Sequence, residues 1–278
     1  QQKRDSRMLV NFAGKRIVIT GAYSGIGAAL VELLRQAGAD NITVLDIKEP
    51  ETPIDAFIET DMGNPVSIDN AVATITADDK PPVDILFNNA GVAATMPADV
   101  VMRINMLGLK RLTEGLMPKM QPGGSIVNTA SVAGNRWAEH LDEINALLAI
   151  SSWDEGVAWV ADQAELIADG YFFSKECVQV YTMQMAKAAT AQGLRMNSVC
   201  PSPVDTPLLP AFRETMTDER IDWAIETGAG RVATAEDQAK ALLFLASDLA
   251  SYVNGVNLLV DGGYGSALQM GQFTALGS

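Results

Sequence analysis

Tyr171 and Lys175 are the two side chains in this sequence whose spacing best suits proton transfer. A helical pattern begins at Gly170, and residues four apart lie on one face of its first turns. A phenol titrates near 10, but one ammonium about 4 Å away, at an effective dielectric near 20, contributes on the order of 4 kcal/mol, enough to bring the pKa to roughly 7 to 8. The pair therefore predicts a general acid/base in which Lys175 lowers the pKa of Tyr171. An incidental pair on an amphipathic helix is the alternative that these two residues alone leave open.

Residues 18–27, VITGAYSGIG, predict a strand, a tight turn and the start of a helix. The turn holds Gly21, Gly25 and Gly27, so main-chain N–H groups can approach an anion at the positive end of the helix dipole. A dinucleotide phosphate is the ligand this favours. The spacing is G-x-x-x-G-x-G rather than the fingerprint G-x-G-x-x-G, so the turn alone also fits an ordinary glycine-rich loop.

Asp46 follows the second predicted strand, 42–45, and stands nineteen residues after Gly27. A dinucleotide fold places an acidic side chain there against the adenosine ribose. A carboxylate accepts hydrogen bonds from the ribose hydroxyls and repels a 2′-phosphate, so Asp46 predicts NAD rather than NADP. A turn-forming Asp at the end of a strand is the alternative.

Small and amide-bearing residues follow the fourth and fifth predicted strands: Asn88–Gly91 after one, and Ala130–Gly134, which includes Ser131, after the other. Because the carboxyl ends of parallel strands meet at one edge of a sheet, these residues suit a ligand that crosses this edge. A plain loop is the alternative at Asn88–Gly91. Asn105 lies inside a predicted helix over 97–117, where Asn lowers helix propensity, so this side chain is either exposed or used.

Strand and helix patterns alternate along the chain and predict an α/β fold. Predicted strands cover 16–20, 42–45, 56–60, 83–87, 125–129, 194–200 and 256–260. Predicted helices cover 26–37, 65–77, 97–117, a stretch from Gly170 onward and 235–247. Seven parallel-type strands with helices between them predict a single doubly wound domain over 1–278, with helices on both faces of the sheet.

Two regions depart from this alternation. About 135–169 repeats apolar residues at helical spacing in two segments, which predicts a small helical insertion whose apolar stripes pack against the body or a subunit rather than hold a cofactor. The segment 201–207 is too rich in Pro to be regular, and about 205–230 predicts a mobile apolar lid. The lid offers these side chains to a non-polar ligand: Leu208, Leu209, Phe212, Met216, Ile221 and Trp223.

Composition narrows the class of protein. The chain has 278 residues and a formal net charge of -14, with one short basic segment at Lys3–Arg7, which argues against a nucleic-acid backbone or an anionic membrane as partner. Cys177 and Cys200 make no disulfide framework, and no apolar span long enough for a membrane appears, so a cytoplasmic location is expected. A lone His140 without a Cys/His cluster predicts no metal site.

Taken together, these motifs resemble the short-chain dehydrogenase/reductase family from about residue 14 to 264. The matching pieces are Thr20–Gly27, Asp61, Asn88–Gly91, Asn105, Ser131, Tyr171, Lys175 and Pro201 to Thr206. The long interval between Ser131 and Tyr171, the lid and the C-terminal ending are similar to the 3α-hydroxysteroid dehydrogenase/carbonyl reductase group. One departure is Ser202, where family members usually carry Gly.

The resemblance implies a Rossmann domain and assigns roles to residues. It implies that Tyr171 exchanges a proton with the substrate oxygen, that Ser131 hydrogen-bonds this oxygen, and that Asn105 belongs to a water-linked proton relay reaching Lys175. It implies NAD contacts by Gly21, Ser24, Gly25, Ile26, Gly27, Asp46, Ile47, Asp61, Met62, Asn89, Ala90, Gly91, Tyr171, Lys175, Pro201, Val204 and Thr206. It implies substrate contacts by Ser131, Tyr171, Leu208, Leu209 and Phe212.

The expected function is an NAD-dependent oxidoreductase that interconverts a secondary alcohol and a ketone of alicyclic, steroidal or aromatic type. A non-catalytic dinucleotide-sensing regulator is one alternative, disfavoured by the presence of the whole catalytic set. A nucleotide-sugar epimerase or dehydratase is another, disfavoured by the glycine spacing and by the lack of a large C-terminal substrate domain. The chain is expected to form a homodimer through helix 235–247 and strand 256–260, or a tetramer.

Overall fold

Seven parallel strands form the central sheet in a computed structural model that describes residues 9–276. These strands are β1 Ile17–Thr20, β2 Ile42–Asp46, β3 Ala56–Glu59, β4 Val83–Asn88, β5 Met120–Thr129, β6 Arg195–Pro201 and β9 Asn257–Val260. Their order is β3-β2-β1-β4-β5-β6-β9, and every neighbouring pair is parallel. The strand order therefore reverses between β1 and β4, where an open α/β sheet forms a crevice for a ligand.

Helices cover both faces of this sheet. On one face lie α1 Gly25–Gln36 and α11 Ala235–Ala246, and on the other lie α2 Pro65–Ile75, α4 Leu109–Leu116 and α8 Tyr171–Ala191. The remaining helices are α3 Ala98–Met102, α5 Leu141–Leu148, α6 Trp153–Asp162, α7 Ala164–Ile167, α9 Leu209–Met216, α10 Asp218–Thr227 and α12 Tyr264–Gln269. The predicted α/β class, the seven strands and the two helical layers are confirmed.

The two helical layers correspond to two apolar clusters divided by the sheet. In β1 the side chains alternate between them: Val18 packs with the cluster that includes α4 and α8, whereas Ile17 and Ile19 pack with the cluster that includes α1 and α11. All three are fully buried, because a parallel sheet covered on both faces has no solvated side. This explains why the strands read as continuous β-branched runs.

The helix predicted over 97–117 is present as one continuous helical run, which consists of α3, a π-helical stretch at Arg103–Gly108 that was not predicted, and α4. The segment 201–207, predicted to be irregular, contains β7 Val204–Asp205, which pairs with β8 Ala233–Thr234. The tail after Gly263 forms α12, because the left-handed turn at Gly262 and Gly263 directs the chain back into a helix.

The insertion predicted at about 135–169 contains α5, α6, the short α7 and a 3-10 turn at Trp137–His140. It packs on the outer side of α8 rather than forming a layer of the sheet. Buried side chains of the insertion join the cluster that contains Phe173, Cys177 and Val178 of α8: Ile144, Leu147, Val160 and Ile167. The predicted apolar stripes therefore cover the body of the protein.

One polar contact joins the insertion to α8. The Nδ1 atom of His140 lies 2.7 Å from Oε2 of Glu176, whose side chain is buried and stands next to Lys175 in the chain. Burial raises the pKa of Glu176, and the hydrogen bond from His140 acts in the opposite direction. The single histidine of the chain is thus a structural partner of a buried carboxyl group.

The expectations about membrane spans and disulfides concern the helices and the two cysteines of the chain. Within residues 9–276 no helix has the length and apolar character needed to cross a bilayer. Both cysteines, Cys177 and Cys200, are buried and free. The basic segment Lys3–Arg7 lies outside the described residues.

Candidate active site

Tyr171 is the first residue of α8, and the chain reaches it through a left-handed turn. Gly170 has φ of 85°, and a Cβ added there would lie 2.7 Å from the backbone oxygen of Ala98, so only glycine fits. The backbone N–H of Tyr171 donates to Oδ1 of Asp169 at 2.9 Å. The turn fixes the point at which α8 begins and therefore the direction in which the Tyr171 phenol projects.

Tyr171, Lys175 and Ser131 come together at the carboxyl edge of the sheet. The Nζ atom of Lys175 lies 5.8 Å from the centroid of the Tyr171 ring and donates a hydrogen bond of 3.0 Å to the backbone oxygen of Thr129. The Ser131 side chain lies close enough to the Tyr171 phenol to lower its pKa. Each of the three side chains is less than one-tenth exposed, at 7%, 6% and 8% respectively. The predicted proton-transfer pair is therefore a buried arrangement of three residues.

The predicted lowering of the Tyr171 pKa is wrong for this structure. Burial raises the pKa of Tyr171 to about 12, and Asp169 adds to the rise while the Ser131 side chain opposes it. Burial also lowers the pKa of Lys175 to about 8. The prediction counted the attraction of an ammonium for a phenolate and omitted the cost of removing both charges from water. At neutral pH the pair consists of a neutral phenol, which is a proton donor, beside an ammonium.

Both the hydroxyl and the backbone oxygen of Ser131 accept hydrogen bonds. Its Oγ accepts from the backbone N–H of Ala133 at 3.1 Å and so caps a 3-10 turn at Val132–Gly134. Its backbone oxygen accepts from Nε2 of Gln179, on α8, at 2.8 Å. The hydroxyl is thereby fixed beside Tyr171 by contacts to the strand exit and to the helix that carries Tyr171.

Asn105 lies at the centre of the π-helical stretch and is 1% exposed. Its Oδ1 accepts from the N–H of Val92 at 2.8 Å, and its Nδ2 donates to the oxygen of Val92 at 3.0 Å and to Oγ of Ser174 at 3.2 Å. A Cβ on Gly91 would lie 3.3 Å from Oδ1 of Asn105 and 3.6 Å from Nζ of Lys175. Asn105 is therefore buried rather than exposed. Its hydrogen bonds join the loop after β4 to α8, beside Lys175.

The glycine turn after β1 packs against the loop after β4. Gly21 has φ of 70°, and a Cβ there would lie 2.5 Å from Cα of Ala90. Oγ1 of Thr20 accepts from the N–H groups of Asn89 and Ala90, both at 3.0 Å, and Nδ2 of Asn89 donates to the oxygen of Gly21 at 2.7 Å. The two predicted ligand loops are thus one rigid unit at the switch point of the sheet.

This unit has the features that a dinucleotide needs. Helix α1 begins at Gly25, and the side chain of Ser24 makes no capping hydrogen bond, so the N–H groups of the first turn remain able to bind a phosphate. Asp46 lies at the same cavity wall, where its two carboxylate oxygens accept from the N–H groups of Tyr23 at 3.0 Å and Ile47 at 2.8 Å. Each of these two oxygens has a further lone pair, which suits a hydrogen bond from a ribose hydroxyl.

One cavity of about 800 Å³ runs from Asp46 to the residues beyond Tyr171. Most of the predicted site residues line it: Gly21, Ser24, Gly25, Ile26, Asp46, Ile47, Asp61, Met62, Asn89, Ala90, Gly91, Ser131, Tyr171, Lys175, Pro201, Val204, Thr206, Leu208 and Phe212. Gly27 and Asn105 do not line the cavity. Leu209 does not line it either. Leu208, directly before α9, and Phe212 are four residues apart and face the cavity, whereas Leu209 points in another direction.

Ser202, the departure from the family pattern, is accommodated without strain. It follows the last residue of β6 and lines the cavity, and its φ lies outside the left-handed region. The backbone path at this point therefore does not require glycine.

Sequence reasoning missed several residues of the site. The cavity is also lined by Phe172, Arg220, Tyr264 and Leu268. The last two belong to α12, a helix that the sequence analysis did not predict, and an aromatic directly after Asp261–Gly263 was the available signal. A buried polar chain beneath the site was missed as well: Asn88 donates to Thr113 and Asn128, and Asn128 donates to Thr182.

Comparison with known proteins agrees with this geometry. The model described as short chain dehydrogenase matches residues 15–141, and the model described as Enoyl-(Acyl carrier protein) reductase matches residues 156–265. The coniferyl-alcohol dehydrogenase of Pseudomonas sp. strain HR199 is 35% identical over 258 residues, which cover 92% of this chain and 99% of that protein.

Two solved structures share the fold. The 3-alpha-hydroxysteroid dehydrogenase from Pseudomonas sp. B-0831, complexed with NADH, has a TM-score of 0.76 and 29% identity, with 94% of this chain and 100% of that chain covered. A protein described as an NAD(P)-dependent gluconate 5-dehydrogenase from Beutenbergia cavernae, with bound NADP, has a TM-score of 0.71 and 26% identity, covering 92% and 98%. Solved relatives thus hold NADH or NADP, and the sequence identity together with the arrangement of Ser131, Tyr171 and Lys175 shows that the chain belongs to the short-chain dehydrogenase/reductase family.

Proposed function

We propose that this protein is an NAD-dependent oxidoreductase that interconverts a secondary alcohol and a ketone. The observation that carries the proposal is that one cavity is lined both by the glycine turn with Asp46 and by Ser131, Tyr171 and Lys175. A bound nicotinamide dinucleotide supplies or accepts the hydride. The protein has to transfer the remaining proton and to hold the oxygen that gains or loses it.

Tyr171 is the proposed acid in ketone reduction and the proposed base in alcohol oxidation. Its neutral phenol donates a proton to the substrate oxygen, while Oγ of Ser131, next to the phenol, hydrogen-bonds the same oxygen. The ammonium of Lys175 favours the phenolate that results. Asn105 keeps the loop after β4 and Ser174 of α8 in place through its three hydrogen bonds, and we assign it to the relay behind Lys175.

NAD is the proposed cofactor because the Asp46 carboxylate lies at the end of the cavity where the glycine turn begins. A negative charge there opposes the 2′-phosphate of NADP. We assign the other dinucleotide contacts to the predicted wall residues from Gly21 to Thr206, with Asp61 and Met62 near the adenine.

The proposed substrate has a mainly hydrocarbon body that is alicyclic, steroidal or aromatic. Beyond Tyr171 the cavity wall is apolar and is formed by the segment proposed as a lid, through Leu208, Phe212, Met216, Ile221 and Trp223. The ring of Phe212 meets that of Tyr171 edge-on, with centroids 4.9 Å apart. The name of the coniferyl-alcohol dehydrogenase supports an aromatic body for the substrate, and nothing more, since coniferyl alcohol is a primary alcohol. A non-catalytic dinucleotide sensor would not need the burial of Tyr171 and Lys175 at the cavity wall.

A homodimer through α11 and β9 is proposed as the assembly. Strand β9 is the edge of the sheet, and Phe244 on α11, Leu249 and Tyr252 are exposed nearby, at 37%, 47% and 100%. On the other face of the sheet, the insertion packs on α8. An exposed sheet edge beside apolar side chains suits a second copy of the chain.

Replacing Tyr171 by Phe removes the proposed proton donor. Ketone reduction by Tyr171→Phe, followed by NADH absorbance over a panel of cyclic and aryl ketones, should fall by about 100- to 10,000-fold. NADH binding, followed by nucleotide fluorescence, should be retained. Tyr181→Phe, which removes a buried hydroxyl that does not line the cavity, is the control and should keep the wild-type rate. Turnover near the wild-type rate in Tyr171→Phe would refute the assigned role.

The pKa of about 8 for Lys175 sets the expected pH dependence. Below that pH the amine is charged and above it the amine is neutral, whereas the pKa of Tyr171, near 12, keeps the phenol protonated throughout. Because the ammonium assists proton donation by Tyr171, kcat/KM for ketone reduction should decline above about pH 8. In Lys175→Arg the charge persists, so the residual activity should not show this decline. A wild-type profile that stays flat to pH 10 would contradict the role of Lys175.

Asp46→Asn removes the charge and keeps one side-chain oxygen, which can accept from one of the two backbone N–H groups that the carboxylate now binds. Discrimination between NADH and NADPH, measured as the ratio of their kcat/KM values, should fall by about tenfold or more. Glu51→Gln removes the same charge outside the cavity and should leave the ratio unchanged. An unaltered cofactor preference in Asp46→Asn would count against the ribose contact.

Light scattering should report a dimer of the wild-type chain. Phe244→Glu places a charge in the proposed interface and should increase the monomer fraction, whereas Val66→Glu, at a position on α2 that is 64% exposed, should not. A monomeric wild type would remove the proposal.

A further inference from the structure

Arg220 lies on α10 and lines the substrate part of the cavity. It is exposed, so it stands at the mouth of the cavity rather than in its depth. Among residues 9–276 it is the one arginine whose guanidinium makes no hydrogen bond or ion pair. The others all have partners: Arg16, Arg35, Arg103, Arg111, Arg136, Arg195, Arg213 and Arg231.

Three acidic residues of α10 are near Arg220 in the chain, and none of them lines the cavity; Glu219, directly before Arg220, is exposed and forms no ion pair with it. Asp218 and Asp222, on the same helix, both pair with Arg213 of α9, at 2.9 Å and 2.8 Å. The carboxylates that line the cavity, Asp46 and Asp61, belong to the dinucleotide end. No carboxylate of residues 9–276 therefore neutralises Arg220 inside the substrate part, although the chain carries a net charge of -14.

Tyr264 provides a second donor next to Arg220. It lies on α12 at the same wall, and the positive charge of Arg220 acts to lower the pKa of its phenol, against a larger rise caused by burial. Trp223, one turn along α10, meets the ring of Tyr264 at 90° with centroids 5.8 Å apart. A cation, a phenol and an indole thus lie on α10 and α12 at the wall of the cavity, on elements other than those that carry Tyr171 and Ser131.

The position of Trp223 is fixed by the C-terminal segment. Its indole N–H donates to the backbone oxygen of Thr274 at 2.6 Å, and its ring packs edge-on against Phe273 with centroids 5.7 Å apart. The wall that carries Arg220 is therefore held in place from outside. Such support is typical of a binding surface that must keep its shape.

We propose that the substrate carries a carboxylate at the end remote from the reacting alcohol or ketone, an inference that rests on the proposed function. Arg220, assisted by the Tyr264 hydroxyl, binds this carboxylate. A guanidinium matches a carboxylate with two parallel hydrogen bonds. An acidic protein repels anions at long range, so an unpaired arginine at the cavity mouth supplies the local attraction that such a substrate needs. Arg220 is then a specificity-determining residue, and the hydrocarbon body spans the apolar part of the cavity between it and Tyr171.

Ligand pairs that differ only in charge test the proposal. The acids are 4-acetylbenzoate, (4-acetylphenyl)acetate and 3-(4-acetylphenyl)propanoate, which place the carboxylate at increasing distance from the ketone, and each is compared with its methyl ester. Their dissociation constants from the complex of the protein with NADH are measured by quenching of tryptophan fluorescence. For at least one length the acid should bind about tenfold more tightly than its ester, and added salt should reduce this preference.

Arg220→Gln should abolish the preference and leave the affinity for the ester unchanged, whereas Arg220→Lys should restore part of it. Arg231→Gln removes a charge outside the cavity and is the control that keeps the preference. Equal binding of acid and ester at all three lengths, or a preference that persists in Arg220→Gln, would overturn the proposal. Failure of every acid to bind would overturn it as well.

The same compounds separate this inference from the proposed function. Reduction of the esters at the rate of the acids, followed by NADH absorbance, would leave the oxidoreductase intact and remove the role of Arg220. A preference for the acids in binding without any turnover of a ketone would support Arg220 and count against the oxidoreductase.

Discussion

The turn after β1 and the loop after β4 touch through their backbones, and the rest of the site is built on that contact. Gly21 leaves no room for a Cβ because Ala90 is already there, and Thr20 holds both residues that precede Gly91. Asn105 is hydrogen-bonded to the loop after β4 through Val92 and to α8 through Ser174. The place where a dinucleotide fits and the place where a proton can be transferred are therefore linked by a short series of hydrogen bonds.

Burial sets the chemical state of the proton-transferring residues. Tyr171 and Lys175 lie in a wall from which water is mostly excluded, so each is shifted toward its neutral form. Burial is the largest cause of the pKa shift of each group. The consequence is a site in which the phenol holds its proton until a reacting oxygen takes it, beside an ammonium whose pKa is lowered to about 8.

The strands, the two helical layers and the catalytic residues could be predicted because each leaves a local pattern. The run Ile17 to Thr20 is β-branched since it is buried on both faces, and Tyr171 with Lys175 is readable from helical spacing. Asn105 was recognised as unusual, but the π-helical stretch around it arises from tertiary contacts to Val92 and Ser174 that no local pattern records.

The features that sequence reasoning missed depend on distant parts of the chain meeting. Arg220 and Tyr264 are more than forty residues apart, and only the folded chain shows that they share a wall. The predicted direction of the Tyr171 pKa shift was wrong for a related reason, because spacing along a helix gives the distance between two groups and not their burial. Side-chain types can be assigned to chemistry from sequence, whereas the dielectric surroundings must be taken from the structure.

The contacts of Trp223 with Phe273 and Thr274 have a practical consequence for handling the protein. The carboxyl-terminal segment braces a helix of the cavity mouth, so an affinity tag or fusion partner joined at that end would be placed beside the route by which ligands enter. Leu9 and Val10 lie instead near Lys15 and Asp84, at the edge of the sheet where β1 and β4 begin. A purification tag or sensor linker that precedes Leu9 is therefore joined to a part of the chain that does not line the cavity.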